Sequence, residues 1–174
     1  MITLGLKKRW KLFWYLKFPV YFCLLFVMKN IISPCTEMFL TLGFKSVTMD
    51  DIAQKLGVSK KTLYTHYPNK EELIRACVFD FFNYVTEEIN RICQQSKNPI
   101  IELHDIKMFM MRHIKNEKIS PQYQLEKYYP EIFHELSDKQ LHFMIGCVSK
   151  SLNSGVAMGL FRDNLNIPFI ARLY

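Results

Sequence analysis

Two lysines and two threonines lie close together after a serine, with few large apolar residues among them. They are Lys60, Lys61, Thr62 and Thr65, and the serine is Ser59. A lysine ammonium pairs with phosphate, and a threonine offers base edges both a hydroxyl and a methyl group. If these side chains share one face of a short helix, that helix could enter the major groove of DNA.

The neighbouring residues predict the helices that would position this group. Thr48 can cap one helix, with Asp51 three residues later as a short capping box. Gly57 can end that helix in the left-handed conformation. Ser59 can cap a second helix from Lys60 to about His66. Two short helices joined by a turn that contains glycine form the helix-turn-helix pattern.

Apolar residues at helical spacing supply a core for this pattern. Ile52, Ala53 and Leu56 give the first helix one apolar face, and Leu63 anchors the second. Pro68 ends the second helix, because proline cannot continue the hydrogen-bond ladder. The outer side of the second helix therefore stays polar.

The stretch from about residue 31 to residue 73 resembles the N-terminal domain of TetR-family transcriptional regulators. The agreeing positions keep a fixed spacing: Gly43, Phe44, Thr48, Ile52, Ala53, Gly57, Val58, Ser59, Thr62, Leu63, Tyr64, His66, Tyr67, Pro68 and Lys70 to Leu73. The resemblance implies an all-α fold, in which a long helix joins a three-helix DNA-binding domain to a helical ligand-binding and dimerisation domain. It also implies a homodimer on double-stranded DNA and a small-molecule effector, most simply one that releases a repressor.

Nine polar or aromatic residues are candidates for contact with DNA: Thr48, Ser59, Lys60, Lys61, Thr62, Tyr64, His66, Tyr67 and Lys70. Those at positions 60 to 62 lie at the start of the second helix, which is the end that meets base edges. Those at positions 48, 64, 67 and 70 are expected to contact phosphates, which position a protein but carry no sequence information. Alternatively, Tyr64 could be a packing residue, His66 a cap or packing residue, and Lys61 a solvated charge.

Composition favours one or two small helical domains. The chain has 174 residues, 49% of them hydrophobic, and no run alternates strictly enough to predict a sheet. We expect a DNA-binding domain at residues 28–73, called the reader below, and a helical effector-binding and dimerisation domain at residues 74–174. The overall charge of +7 is concentrated in residues 1–29, which contain six Lys or Arg and no acid. Residues 30–70 carry only +2, a modest electrostatic footprint for DNA.

Residues 1–27 do not fit the rest of the pattern. A basic run, Lys7 to Lys11, precedes an apolar stretch, in the order of a signal peptide or signal anchor. Its uninterrupted part, Phe18 to Val27, has ten residues, whereas a spanning helix needs about 20. We expect Met28 to be the natural start and the preceding residues to be wrongly joined to it. A membrane anchor and an unusual extension of a soluble protein are the alternatives.

Helical periodicity extends on both sides of the central pattern. A first helix is predicted to begin or kink at Pro34, with Ser33 as its cap, and to face Met38, Phe39 and Leu42 inward. Asn69 can cap a long helix that runs from Lys70 to about Gln95. Further helices are predicted from Ile100, Pro121, Pro130 and Pro168. The last has only seven residues, and we expect the second domain to be incomplete.

Methionine and aromatic residues in the second domain suggest an effector pocket. The resemblance implies such a pocket, and the candidates for its lining are Met108, Met111, Phe133, Phe143 and Met144. The same residue types also fill ordinary cores.

Catalytic, metal and cofactor sites are not indicated. The histidines at 66, 104, 113, 134 and 142 lack metal-ligand spacing, and no phosphate loop, nucleophile elbow or H-E-x-x-H occurs. The five cysteines form no C-x-x-C pair, which favours a reduced cytosolic protein. We therefore predict a cytoplasmic transcriptional regulator that is not an enzyme and needs no cofactor.

Two other interpretations stay open. The chain could be a helical ligand-binding or interaction protein without a DNA role, held at a membrane by residues 1–27. It could also be a defective fragment of a regulator, which would expose apolar surface around Val148, Leu152 and Val156.

Overall fold

The computed structural model describes residues 31–96, 98–114 and 121–173. These residues form helices joined by turns and include no strand, in agreement with the all-α prediction. None of the helices among them combines the length and apolar character needed to cross a bilayer. The predictions about residues 1–27 and the start at Met28 lie outside the described residues.

Eight helices lie within the described residues. The first, α1, covers residues 31–42 and is already helical at the first described residue. The others are α2 (Met49–Leu56), α3 (Lys60–His66), α4 (Lys70–Gln95), α5 (Pro99–Ile114), α6 (Pro121–Tyr128), α7 (Pro130–Ala157) and α8 (Ile167–Leu173).

Local capping fixes the ends of the reader helices as predicted. The Thr48 hydroxyl accepts a hydrogen bond from Asp51 N at 3.2 Å, and the Asp51 carboxylate accepts one from Thr48 N at 2.8 Å. Gly57 ends α2 in the left-handed conformation, with a φ of 66°. Ser59 Oγ accepts from Thr62 N at 3.0 Å and caps α3.

The long helices also begin close to the predicted residues. Asn69 Oδ1 accepts from Glu72 N at 2.8 Å, so α4 begins at Lys70 as expected. Pro130 stands in the first turn of α7, where its missing N–H costs no hydrogen bond. The last helix, α8, begins one residue before the predicted Pro168.

Two predictions about α1 are wrong: its start at Pro34 with Ser33 as the cap, and the inward position of Leu42. Residues 31–33 are already helical, so Pro34 lies within the helix. The alternative, a kink at Pro34, stays a prediction. Ile31 and Ile32 are buried in the core, and their burial stabilises the turn that precedes the proline. Leu42 does not face inward but is 52% exposed. Phe44 fills the interior instead, since it is buried and stacks on Phe39 with ring centroids 5.4 Å apart.

One continuous core joins the reader to α6 and α7. Leu125 of α6 and Ile132 of α7 are buried in the same cluster as Leu63 of α3. The Phe44 ring also meets Tyr129 edge-on, with centroids 6.4 Å apart. The reader is therefore packed against the second domain in addition to being joined to it by α4.

The short C-terminal helix covers apolar residues of α7. Val148 and Leu152 are buried in a cluster that includes Ala171 of α8. These two side chains are thus covered within the single chain, contrary to the exposure expected of a defective fragment. Leu141 and Leu160 lie outside this cluster and are exposed.

Gly43 marks the point where α1 ends against α6. Its φ is 91°, and a Cβ at this position would lie 2.6 Å from Gln124 Nε2. Gln124 is buried, and its Oε1 accepts a hydrogen bond from Lys45 N at 3.4 Å. The turn after α1 is consequently held by a side chain from α6.

We expect Gly43→Ala to destabilise the fold more than Gly57→Ala. Both glycines have positive φ, where an L-residue costs roughly 1–2 kcal/mol. Only at Gly43 would the added methyl group also collide with another side chain, because Gly57 has open space around its Cβ position. Urea unfolding followed by circular dichroism gives both free energies of unfolding. Equal losses would contradict a tight contact between Gly43 and Gln124.

Candidate nucleic-acid interface

The third helix presents a polar face to solvent. Lys61, Thr62 and Thr65 are exposed, whereas Leu63 is fully buried. The two threonines are three residues apart and so lie on the same side of the helix. The polar face is about one turn long and no bulky apolar residue interrupts it, which suits entry into a groove.

The start of α3 is held by hydroxyl groups. Ser59 Oγ accepts from Thr62 N, and the two side-chain hydroxyl oxygens lie 2.7 Å apart. Both residues are exposed. Ser59 therefore has a structural role as a cap that is independent of any ligand, and Thr62 is oriented partly through it.

An ion pair links α3 to α2. Lys60 Nζ lies 2.9 Å from Asp50 Oδ2, and both side chains are largely exposed. The hydrogen bond to Asp50, together with its charge, raises the pKa of Lys60. Such an exposed pair adds little to stability, but it offsets the charge of Lys60, a predicted base contact.

Basic and hydroxyl groups flank α3 at the starts of α2 and α4. Thr48 is exposed, and its hydroxyl donates to Asp51 Oδ2 at 2.7 Å, which lowers the pKa of Asp51. Lys70 Nζ donates to the carbonyl of Lys45 at 3.3 Å. Burial lowers the pKa of Lys70, and the nearby Asp51 opposes that shift. Lys45 is also exposed. It was not among the sequence candidates, because nothing except its positive charge distinguished it in the sequence.

The aromatic candidates separate into two groups. Tyr64 is 41% exposed on α3, and His66 is half-buried at the end of that helix. Tyr67 is only 7% exposed and packs in the core, where burial raises the pKa of its hydroxyl to about 12. The ring therefore packs in the core, and the predicted contact of its hydroxyl with phosphate stays a prediction.

A cavity of about 450 Å³ lies between α1, α4, α6 and α7. Two candidates for the effector pocket, Phe143 and Met144, line it. The other three do not: Met108 and Met111 are 42% and 40% exposed on α5, and Phe133 packs against the core of the reader. Composition could not separate these cases, because it does not show which face of a helix points inward.

The remaining titratable residues supply no further site. Among the described residues, no group of three or more His, Cys, Asp or Glu is placed to hold a metal ion. Cys35 and Cys77 are both fully buried in the core. The Cys77 thiol donates a hydrogen bond to Cys35, and this bond together with burial raises the pKa of Cys77, while the same bond lowers the pKa of Cys35. Because neither thiol is exposed to a reagent, this pair serves packing.

Residues 31–77 match the family model described as "Bacterial regulatory proteins, tetR family". This match covers all three reader helices and the beginning of α4. This segment has the N-terminal domain of the TetR family.

Similar proteins and solved structures extend this comparison beyond residues 31–77. The biofilm operon negative regulator IcaR of Staphylococcus epidermidis is 38% identical over 62 residues, which are 36% of this chain and 34% of IcaR. The transcriptional repressor KstR2 of Mycolicibacterium smegmatis is 25% identical over 151 residues, covering 82% of this chain and 71% of KstR2. The crystal structure of the regulator FadR from Bacillus subtilis in complex with stearoyl-CoA has a TM-score of 0.65 at 16% identity, over 84% of this chain and 80% of FadR. The chain thus spans about a third of the length of IcaR but most of KstR2.

We expect Ser59→Ala to lower the free energy of unfolding by about 1 kcal/mol, because the cap of α3 is lost. Ser59→Asp should restore most of that stability, since aspartate is an equally good cap. Thr65→Ala is the matched control, because Thr65 is exposed on the same helix and does not cap it. Thermal unfolding would measure all three variants. A loss for Thr65→Ala as large as that for Ser59→Ala would contradict the capping role.

Proposed function

We propose that this chain is a TetR-family transcriptional repressor that inserts α3 into the major groove of DNA. The observation that carries the proposal is the exposed polar face of α3, formed by Lys61, Thr62 and Thr65. The opposite side of this helix is anchored in the core by the fully buried Leu63. In this proposal Thr62 and the neighbouring lysines reach base edges. IcaR and KstR2 are named as a negative regulator and a repressor, which supports the same direction of control.

Contacts to phosphate would come from α3 itself and from the starts of the helices before and after it. Tyr64 lies on α3, Thr48 caps α2 and Lys70 begins α4, and all three are accessible at least in part. Lys45 is not included in this group, because its ammonium lies over the Tyr128 ring of α6, 4.8 Å from the ring centroid. Such contacts would fix the position of α3 on the duplex without reading its sequence.

We further propose that two copies of the chain bind one near-palindromic site. A dimer with two-fold symmetry would place two α3 helices about 34 Å apart, one turn of DNA. The second domain offers exposed apolar side chains for this contact, including Leu160, Phe169 and Leu173. Binding to chromosomal DNA would place the protein in the cytoplasm, in a role that is not enzymatic.

The cavity between α1, α4, α6 and α7 is the site we propose for an effector. Its volume of about 450 Å³ falls within the range of small-molecule sites. A protein of the same fold, FadR, holds stearoyl-CoA in its crystal structure. Effector binding would favour a reader arrangement that fits DNA less well, and the repressor would then dissociate.

We expect Thr62→Ala to change sequence preference, whereas Lys70→Ala should weaken binding to all sequences alike. The operator would be selected from a random DNA pool, and fluorescence anisotropy would then be measured at several salt concentrations. Lys70→Ala should reduce the slope of log K against log salt by about 1. Tyr64→Ala should lower affinity without changing preference.

Lys150→Ala is the matched control, because this exposed lysine lies on α7, outside the reader. Its effect on affinity should be small at all salt concentrations. Unchanged binding for both Thr62→Ala and Tyr64→Ala would show that α3 is not the element that reads DNA.

We expect Asp50→Asn to strengthen DNA binding, most clearly at low salt. The substitution removes a negative charge near the DNA and frees Lys60 from its ion pair. Asp163→Asn makes the same charge change in the connection between α7 and α8, and it should leave affinity unchanged. Titration of both variants by anisotropy tests the difference. Weaker binding for Asp50→Asn would indicate that the ion pair positions Lys60 for contact.

A further inference from the structure

The cavity is shared between the reader and the second domain. Thr36, Phe39 and Leu40 of α1 and Phe44 of the following turn form one wall. The opposite walls come from α4, α6 and α7, with Met110 of α5. A molecule in this space would therefore touch the DNA-binding domain itself.

The lining carries no charged side chain among the described residues. Most of its surface is aliphatic, aromatic or thioether, and its polar side-chain groups are neutral hydroxyls and amides, on Thr36, Thr86, Gln122 and Gln140, and the Cys77 thiol. A carboxylate or ammonium in this space would lose its hydration without gaining an opposite charge, which is costly. Neutral amides and hydroxyls can still pair with one or two neutral polar groups.

We propose that this cavity binds an uncharged, largely apolar small molecule that contacts α1 and the α1–α2 turn directly. The ligand thereby acts on the reader through a shared wall and does not depend on α4 alone to transmit its effect. The part of this inference that concerns release of DNA rests on the proposed function. The ligand class and the site of contact stand without it.

The contacts of the wall explain how a ligand would reach the DNA-binding elements. Phe44 stacks on Phe39 and lies four residues before Thr48, the cap of α2. On the other side, α6 contributes Leu125 to the cavity while Gln124 holds the turn through Lys45 N. A ligand that displaces either Phe44 or α6 would therefore shift the turn that leads into α2.

The probe is N-phenyl-naphthylamine, which is uncharged and becomes fluorescent in apolar surroundings. Its charged analogue, anilinonaphthalene sulfonate, has the same ring skeleton and serves as the matched ligand. We expect the uncharged probe to bind the full chain at least about tenfold more tightly. Equal or tighter binding of the sulfonate would overturn the assignment of an uncharged ligand.

Methyl NMR spectra of leucine-labelled protein test where the probe binds. Leu40 lines the cavity, whereas Leu42 lies two residues further along α1 and is 52% exposed. We expect the uncharged probe to shift the Leu40 methyl signals and to show nuclear Overhauser contacts with them, while the Leu42 signals stay in place. Binding without any effect on Leu40 would overturn the contact with α1.

A pair of tryptophan substitutions tests the same wall by filling it. Leu40→Trp should weaken probe binding at least about tenfold, and Leu42→Trp should leave it unchanged. Circular dichroism melting of both variants checks that each is folded. If Leu40→Trp does not fold, the NMR result on the unsubstituted chain decides the question alone.

Anisotropy with the selected operator then separates the two proposals. Saturating uncharged probe should reduce the DNA affinity of the unsubstituted chain and of Leu42→Trp, but it should not affect Leu40→Trp. If the chain binds no DNA specifically, the proposed function fails, while the probe and NMR results still test the site. Tight probe binding at Leu40 without any change in DNA affinity would overturn the coupling.

Discussion

The structure of the reader depends on a buried core, and α3, the helix proposed to enter the major groove, contributes very little to that core. A helix that must expose one side to DNA can bury only the other, and α3 buries a single side chain, Leu63, in seven residues. Helices of this length are marginal on their own, so the orientation of α3 comes from outside it. Phe39, Phe44 and Ile132 belong to the same buried cluster as Leu63, and they come from α1 with its following turn and from α7. The orientation of α3 therefore depends on packing between the reader and helices α6 and α7.

The same arrangement limits how the reader can move. Because Leu125 and Ile132 are packed into its core, a rigid rotation of the reader about α4 alone would open apolar surface on α6 and α7. Smaller shifts at the edge of the core cost less free energy, because they expose less apolar surface. The cavity lies at such an edge, since Phe39 and Phe44 belong to the core cluster and also line the cavity. A change in the volume that fills the cavity is transmitted to the core because close-packed side chains cannot adjust independently.

The features that the sequence predicts well are those decided by residues a few positions apart. The capping box of α2, the left-handed Gly57 and the start of α4 at Lys70 all follow from local hydrogen bonds and backbone sterics. The errors lie where distant residues decide. The helix α1 includes residues before Pro34, because the side chain of Ile32 is buried in the core. Met108 is exposed for the corresponding reason, since periodicity cannot show which surface another helix covers. The cavity wall on α1 had no sequence signal, because α6 and α7 complete it from more than 80 residues away.

The same residues at the start of α2 affect both the stability of that helix and the proposed binding of DNA. Asp50 and Asp51 lie in the first turn of that helix, where negative charge is favourable, and Asp51 completes the cap. Both carboxylates nevertheless repel phosphate, and Asp50 occupies Lys60. The Thr48 hydroxyl donates its hydrogen to Asp51, so it can donate to a phosphate only if that bond breaks. Part of the interaction energy with DNA must therefore replace contacts that already stabilise the free protein. In the proposed complex with DNA, this exchange reduces the net electrostatic gain, and it thereby reduces the difference in affinity that an effector would have to supply for release.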